Sequence, residues 1–311
     1  MSGRWIVGVD IGGTNLVVGL VPEAGGDAVA LRNRATLAER GVAAVVDDIV
    51  RMSRDAIAAA GVSGEDVVGM GVGSPGPLDR ASGIVLESPN LKWRNVPLRG
   101  LLRDRFHTPV ALDNDANCAA YGEWWQGAGK GSSSMFALTV GTGIGGGWIS
   151  GGELQHGASD AAGEIGHTTV AIDGRLCACG NYGCLEAYTS GPSIAARARQ
   201  GIRAGTPSLL TELVDGDLDL ISAATVFEAA IQDDPFAERV VNETARILGV
   251  GVANVINLLN PEIVVLMGGV TRAGDHLLTP LRAEVRARAF ESAWNACRIE
   301  LGRLIETAGE I

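Results

Sequence analysis

The sequence predicts an α/β protein built as two related lobes with a ligand cleft between them. Three observations point there. The chain has 311 residues, 46% of them apolar and 20% charged, which is more than one hydrophobic core usually serves. Its opening stretch, WIVGVDIGGTNLVVGLV, has the layout strand, glycine turn, strand, and MFALTVGTGIGGGWISGG, from residue 135, restarts that layout. Paired lobes of this kind hold their ligands in the cleft they leave. The boundary is expected near residue 115, giving an N-terminal lobe over 1–115 and a larger C-terminal lobe over 116–311. No Pro/Ser-rich linker marks it.

Each element follows from local pattern. WIVGVD reads as a buried strand, NLVVGLV as a second and AVALRNRATL as a third. GVAAVVDDIVRMSRDAIAAAG has helical spacing, with Val45, Ile49, Met52 and Ile57 along one side and Gly61 closing it. DVVGMGVGSPGPLD returns as strand and loop, and PVALDND runs as a strand into a helix starting near Ala116. Late in the chain, VANVINLLNPEIVVLMGGVT gives a helix, a turn at Asn260-Pro261, a β-branched strand and a further glycine turn.

Charge and composition exclude several classes. A net charge of −11 argues against nucleic acid and anionic membrane surfaces, both of which attract basic patches. No run approaches the length of a membrane span, and Asp10 interrupts the first apolar stretch too early for a signal peptide. The expectation is a cytoplasmic protein, where structural disulfides are rare.

His167, Cys177, Cys179 and Cys184 fall within eighteen residues, with Gly180 and Gly183 between them. Four N/S ligands on a glycine-containing loop suit one tetrahedral zinc, and a closed set of four would be structural. The competing reading is three reduced thiols and an unrelated histidine. If one ring nitrogen of His167 binds metal, the other is free to hydrogen-bond a ligand. Cys118 and Cys297 stand alone and read as buried, inert core residues.

Two glycine loops carry phosphate chemistry. Asp10, Gly12, Gly13 and Thr14 sit between strands, where backbone N–H groups and the Thr hydroxyl can cradle phosphate oxygens and Asp10 can hold Mg²⁺ through water. Gly141, Thr142, Gly143 and Gly145 offer the same chemistry from the second lobe. Either loop alone reads as an ordinary hairpin turn; the pair, opening two similar lobes, reads as a phosphate site. Neither is a Walker loop, and a strand after GTGIGG argues against a dinucleotide fold. Asn114 and Asp115, where a strand meets a helix, are either a helix cap or a substrate-binding Asn beside a general base.

Taken together, Asp-Ile-Gly-Gly-Thr at 10–14, Asp-Asn-Asp at 113–115, Gly-Glu-Ile-Gly-His at 163–167 and Cys-Ala-Cys-Gly-Asn-Tyr-Gly-Cys-Leu-Glu at 177–186 resemble the ROK family of sugar kinases and sugar-responsive repressors. The resemblance runs from residue 6 to the end of the chain. It implies the two-lobed actin/hexokinase-like (ribonuclease H-like) fold, with ATP and Mg²⁺ in the cleft. It further implies Asp115 as the catalytic base, Gly76, Asn114, Glu164, His167 and Glu186 as sugar-binding groups, and His167, Cys177, Cys179 and Cys184 as zinc ligands. The loops at 10–15 and 141–146 then match the phosphate-binding segments, and Gly268 and Gly269 the nucleotide-side glycines.

SPNLKWRNVPL, residues 88–98, resembles the glucose-phosphorylating branch, where Asn90 would reach the sugar. The implied activity is ATP-dependent phosphorylation of glucose at its 6-hydroxyl, by a homodimer or homotetramer. N-acetylmannosamine, N-acetylglucosamine or fructose as acceptor, polyphosphate as donor, and a non-catalytic sugar sensor are the alternatives. The family's repressors carry a helix-turn-helix before the first strand; with that strand expected from about residue 5 there is no room for one, so a kinase is expected over a repressor. Asn15 stands where many members have Lys, and ETAGEI stands where relatives continue into a final helix.

Overall fold

A computed structural model describes residues 3–304; the ETAGEI stretch lies outside the described residues. The chain divides into two compact units, one of residues up to 119 plus 156–162, the other of 120–155 plus the chain from 163.

The first unit contains β1 (Trp5–Ile11), β2 (Asn15–Pro22), β3 (Val29–Ala35), α1 (Val42–Ala60), β4 (Val67–Ser74), β5 (Leu78–Asp79), β6 (Ile84–Ser88), β7 (Trp93–Val96), α2 (Leu98–Phe106), β8 (Val110–Asn114) and the start of α3 (Asp115–Trp125). Its main sheet has the order β3-β2-β1-β4-β8, and β5-β6-β7 form a small second sheet. Alternation in β1 buries Val7, Val9 and Ile11 against Val45, Ile49 and Met52 of α1. Gly61 closes α1 in the left-handed conformation, at φ 65°. Buried Asp48 of α1 draws in Arg34 at 2.6 Å, together with Arg40 and Arg51, tying helix, strand β3 and the intervening turn together.

The second unit contains β9 (Ser134–Val140), β10 (Ile144–Ser150), β11 (Glu153–Gln155), α4 (Glu186–Thr189), α5 (Gly191–Arg203), α6 (Leu210–Leu213), α7 (Ala223–Ile231), α8 (Pro235–Leu259), β12 (Ile263–Met267), α9 (Asp275–Arg288), α10 (Glu291–Ala296) and β13 (Arg298–Leu301). Its sheet, β11-β10-β9-β12-β13, repeats the first unit's pattern. In both, an antiparallel three-strand meander is extended by two strands parallel to its first member. Every residue of β12 is buried, as a parallel strand covered on both faces requires. Asn260, left-handed at φ 47°, ends α8 immediately before Pro261.

The division differs from a boundary at 115 in two respects. It falls inside α3, because the helix serves both units. At its start the Cys118 thiol lies against the backbone carbonyl of Val72 in β4, at 3.9 Å. Farther along, buried Glu123 accepts the N–H groups of Ala128 and Leu304, each at 2.8 Å. The chain also returns to the first unit for 156–162, an excursion that nothing in local composition marks.

Candidate active site

In the first unit the DIGGT turn is shaped by close approaches. Gly12 N–H donates to Asn15 C=O at 2.8 Å, and a Cβ on Gly12 would meet that oxygen at 2.8 Å. A Cβ on Gly13 would lie 2.9 Å from Cβ of Asn90, so the turn and Asn90 can be neighbours only with glycine there. Thr36 fastens the turn from β3's end, its hydroxyl donating to Gly12 C=O at 2.7 Å and its N–H to Thr14 C=O at 2.8 Å. The Gly13, Thr14 and Asn15 residues are exposed. Gly76 has φ 99°, and a Cβ there would sit 2.1 Å from Glu87 C=O.

Asn114 and Asp115 occupy the β8–α3 junction. Asn114 Oδ1 accepts the N–H groups of Ala116 (2.9 Å) and Asn117 (3.3 Å), so the capping reading holds for this oxygen; the amide nitrogen is the other end of the same side chain. Asp115 is the first helical residue, and burial raises its carboxyl above the ordinary value. Asp10 is pushed up to about 6, chiefly by burial and then by the charge of Asp115. Water reaches the Asp10 carboxylate, yet protein on most sides leaves its charge poorly solvated.

The structure corrects the reading of Cys118, which is exposed and not a core residue. It lies one helical turn after Asp115, on the same side of α3. Desolvation by the surrounding protein, followed by the charges of Asp113, Asp10 and Asp115, pushes its thiol up to about 12. Cys297 is buried as expected.

In the second unit the ligand-capable atoms of His167, Cys177, Cys179 and Cys184 all lie within 4.8 Å of one another. Two Zn–S bonds of roughly 2.3 Å at a tetrahedral angle put sulfurs about 3.8 Å apart; Cys179 Sγ and Cys184 Sγ are 3.7 Å apart, and His167 Nδ1 is 3.8 Å from Cys177 Sγ. The donor set and spacing fit a tetrahedral ion. Gly183, at φ 72°, permits the wrap, since a Cβ there would strike Ala171 C=O at 1.6 Å.

Glu186, opening α4, connects this cluster to the second glycine loop. Its Oε1 is 3.7 Å from Cys177 Sγ, and its Oε2 accepts the N–H of Ile144 at 2.9 Å. A Cβ on Gly143 would lie 2.7 Å from that same Oε2. Gly145 lies in β10 itself, its N–H directed at the hydroxyl of Thr139 at 3.2 Å. Glu164 stands immediately before the short 3₁₀ turn Ile165–His167.

Gly141, Thr142, Gly268 and Gly269 line one cavity of 1230 Å³ within the second unit. Gly268, at φ 95°, brings the β12 turn against β9, where a Cβ would meet Val140 C=O at 2.4 Å. The opposite wall was not foreseen. It comes from α5 (Gly191, Pro192, Ala195, Arg199) and the start of α7 (Ser222 to Ala224). Gly191 N–H donates to Gly141 C=O at 2.8 Å, joining the α5 terminus to the glycine loop. Gly191-Pro192 was the available signal, since Pro is favoured in a helix's first turn, but it marks a helix start without naming a ligand.

The ROK family matches residues 6–311. The chain belongs to that family. This ROK protein is 40% identical to a glucokinase of Thermotoga maritima, over 98% of this chain and 94% of that one. It is 38% identical to a glucokinase of Halalkalibacterium halodurans, over 100% of this chain and 94% of that one. A crystal structure of a ROK family glucokinase from Streptomyces griseus, in complex with glucose and AMPPNP, superposes with a TM-score of 0.86 at 36% identity, covering 98% of this chain and 96% of that chain. The fold is accordingly actin/hexokinase-like. Among the described residues no helix is long and apolar enough to cross a membrane.

Proposed function

We propose that this ROK protein is an ATP-dependent glucokinase, transferring the γ-phosphoryl group of ATP to the 6-hydroxyl of glucose. The observation that carries the reading is its full-length likeness to two glucokinases and to a glucokinase structure bound to glucose and AMPPNP. Asp115 is the proposed base: it takes the hydroxyl proton as the sugar oxygen bonds to phosphorus and the bond to ADP breaks. Little other covalent chemistry is asked of the protein. A carboxyl raised by burial suits a group that must hold a proton.

Gly76, Asn90, Asn114, Glu164, His167 and Glu186 are proposed to bind the sugar. The loops at 10–15 and 141–145, with Gly268 and Gly269, are proposed for the nucleotide, the 1230 Å³ cavity taking its base and ribose. Asp10 would hold Mg²⁺ through water; a cation there offsets the repulsion between Asp10 and Asp115. When bound, Mg²⁺ neutralises charge on the phosphates. His167, Cys177, Cys179 and Cys184 would hold zinc in a closed, structural role that keeps the 167–186 stretch in shape. A cytoplasmic homodimer or homotetramer belongs to the same proposal.

The test is sugar-phosphate formation with MgATP or, separately, polyphosphate as donor, across glucose, mannose, fructose, N-acetylglucosamine and N-acetylmannosamine. Turnover confined to glucose, or to glucose and mannose, supports the reading. Turnover with an N-acetyl sugar or fructose keeps a kinase and discards the role of the 88–98 segment. Turnover with polyphosphate alone discards ATP as donor, and none with any pair leaves a sugar sensor.

A further inference from the structure

Asp113, two residues before the proposed base, has both carboxylate oxygens engaged by protein groups. Its Oδ1 accepts the N–H of Asn114 at 2.8 Å and the side-chain amide of Asn117 at 3.0 Å. Its Oδ2 lies 2.8 Å from His156 Nε2 and 3.1 Å from Arg80 Nε. Both oxygens are thus committed to protein groups, through three hydrogen bonds and the Arg80 ion pair. What it holds lies on either side of Asp115: the backbone N–H of Asn114, whose own side chain caps α3, and the side chain of Asn117, in the helix's first turn.

The partners of Oδ2 come from distant chain. Arg80 follows β5, and His156 opens the 156–162 excursion into the first unit. The same excursion supplies Asp160, whose Oδ2 accepts the N–H of Arg80 at 3.1 Å and whose Oδ1 lies 3.7 Å from Arg80 Nη1. Ala162 N–H returns to His156 C=O at 3.0 Å and closes the segment. The excursion therefore grips Asp113 twice, directly through His156 and indirectly through Asp160 and Arg80.

The geometry points to His156 as a positioning residue for phosphoryl transfer: with Asp160 and Arg80 it fixes the Asp113 carboxylate, which fixes Asn114 and the first turn of α3, and so the aim of Asp115. This rests on the kinase reading. A base must be held within hydrogen-bond reach of the proton it takes, and small misplacements cost large factors in rate. Asp113 holds the Asn114 backbone N–H and the Asn117 side chain, so a lapse in its position is passed to the turn that carries Asp115.

The experiment compares His156→Ala with His156→Gln in the full-length protein. The Gln amide can donate to Asp113 as the ring N–H does; the Ala variant cannot. Two readouts are taken: steady-state kinetics with glucose and MgATP, and amide hydrogen exchange at residues 114–117. The expected result for His156→Ala is a kcat loss of about tenfold or more, an unchanged KM for MgATP, an unchanged melting temperature and faster exchange at Asn114 and Ala116. His156→Gln should recover most of both losses. Wild-type kcat with wild-type exchange in His156→Ala overturns the proposal, as does a kcat loss that Gln does not repair. Should the unsubstituted protein phosphorylate no sugar, the kinase reading fails by itself; unchanged exchange in His156→Ala would still overturn the positioning role.

Discussion

Burial makes Asp10 harder to ionise, and the charge of Asp115 adds to the effect, so that Asp10 holds its proton up to about pH 6 against an ordinary value of 3.8. The folded protein thus binds this proton more tightly than the unfolded chain does. By linkage, an ionised Asp10 is a stability cost that is fully present above pH 6 and disappears as pH falls towards 4. Asp10→Asn removes the titration. The variant should melt higher than the wild type at pH 8, and the two curves should converge between pH 6 and pH 4. Melts in a pH series without nucleotide or divalent metal decide it; an advantage that grows towards pH 4 would contradict the assignment.

Asp115→Asn keeps the side-chain oxygen that accepts the Ala116 N–H, now at 2.9 Å, while removing the ability to accept a proton from substrate. Loss of a general base costs roughly 10²–10⁴ in rate. The expected outcome is a kcat reduced by that order with sugar binding retained, the latter followed by intrinsic tryptophan fluorescence during a glucose titration. A variant with near-normal kcat would remove Asp115 from the role of base.

Local sequence made the strands and glycine turns legible, because each is written in neighbouring residues: DIGGT and GTGIGG flanked by alternating apolar runs, and Asn260-Pro261 ending α8. Zinc-like spacing was legible for the same reason, with Cys177, Cys179 and Cys184 on one short loop. Asp113 was not. Its partners Arg80 and His156 lie 33 and 43 residues away in sequence, and no local pattern reports such partners. Cys118 was misread because ANCAAYGEWW is small and apolar on several sides, which hides the face that meets water. The cavity wall at α5 and α7 was missed because helix starts are common and few of them face ligands.

The four clustered donors, His167, Cys177, Cys179 and Cys184, carry a prediction about metal. Protein prepared without added metal should contain about one zinc per chain. Dialysis against a strong chelator should lower the melting temperature, and zinc, not magnesium, should restore it, because ligand binding to the folded state alone is folding free energy. Cys184 is fully buried and shares the cluster, so Cys184→Ser should reproduce the loss without chelator. A metal-free protein with an unaltered melt would refute the site.

Glu186 and Gly143 supply a sharper test of how the second unit's loop is shaped. Glu186 Oε2 accepts the N–H of Ile144 at 2.9 Å, and a methyl group on Gly143 would arrive 2.7 Å from the same oxygen. Gly143→Ala must therefore displace either the carboxylate or the turn that starts β10. Both are proposed to serve substrates, so KM should rise several-fold for sugar, nucleotide or both, with little change in melting temperature. The added methyl is harmful only because the carboxylate is there. In a Glu186→Ala background the clash vanishes, and adding Gly143→Ala should cost almost nothing further. Residues in contact show such non-additivity, whereas independent ones add. A double variant as impaired as the product of the two single losses would mean that the steric contact does not set the loop's shape, and that Gly143 acts through backbone freedom instead.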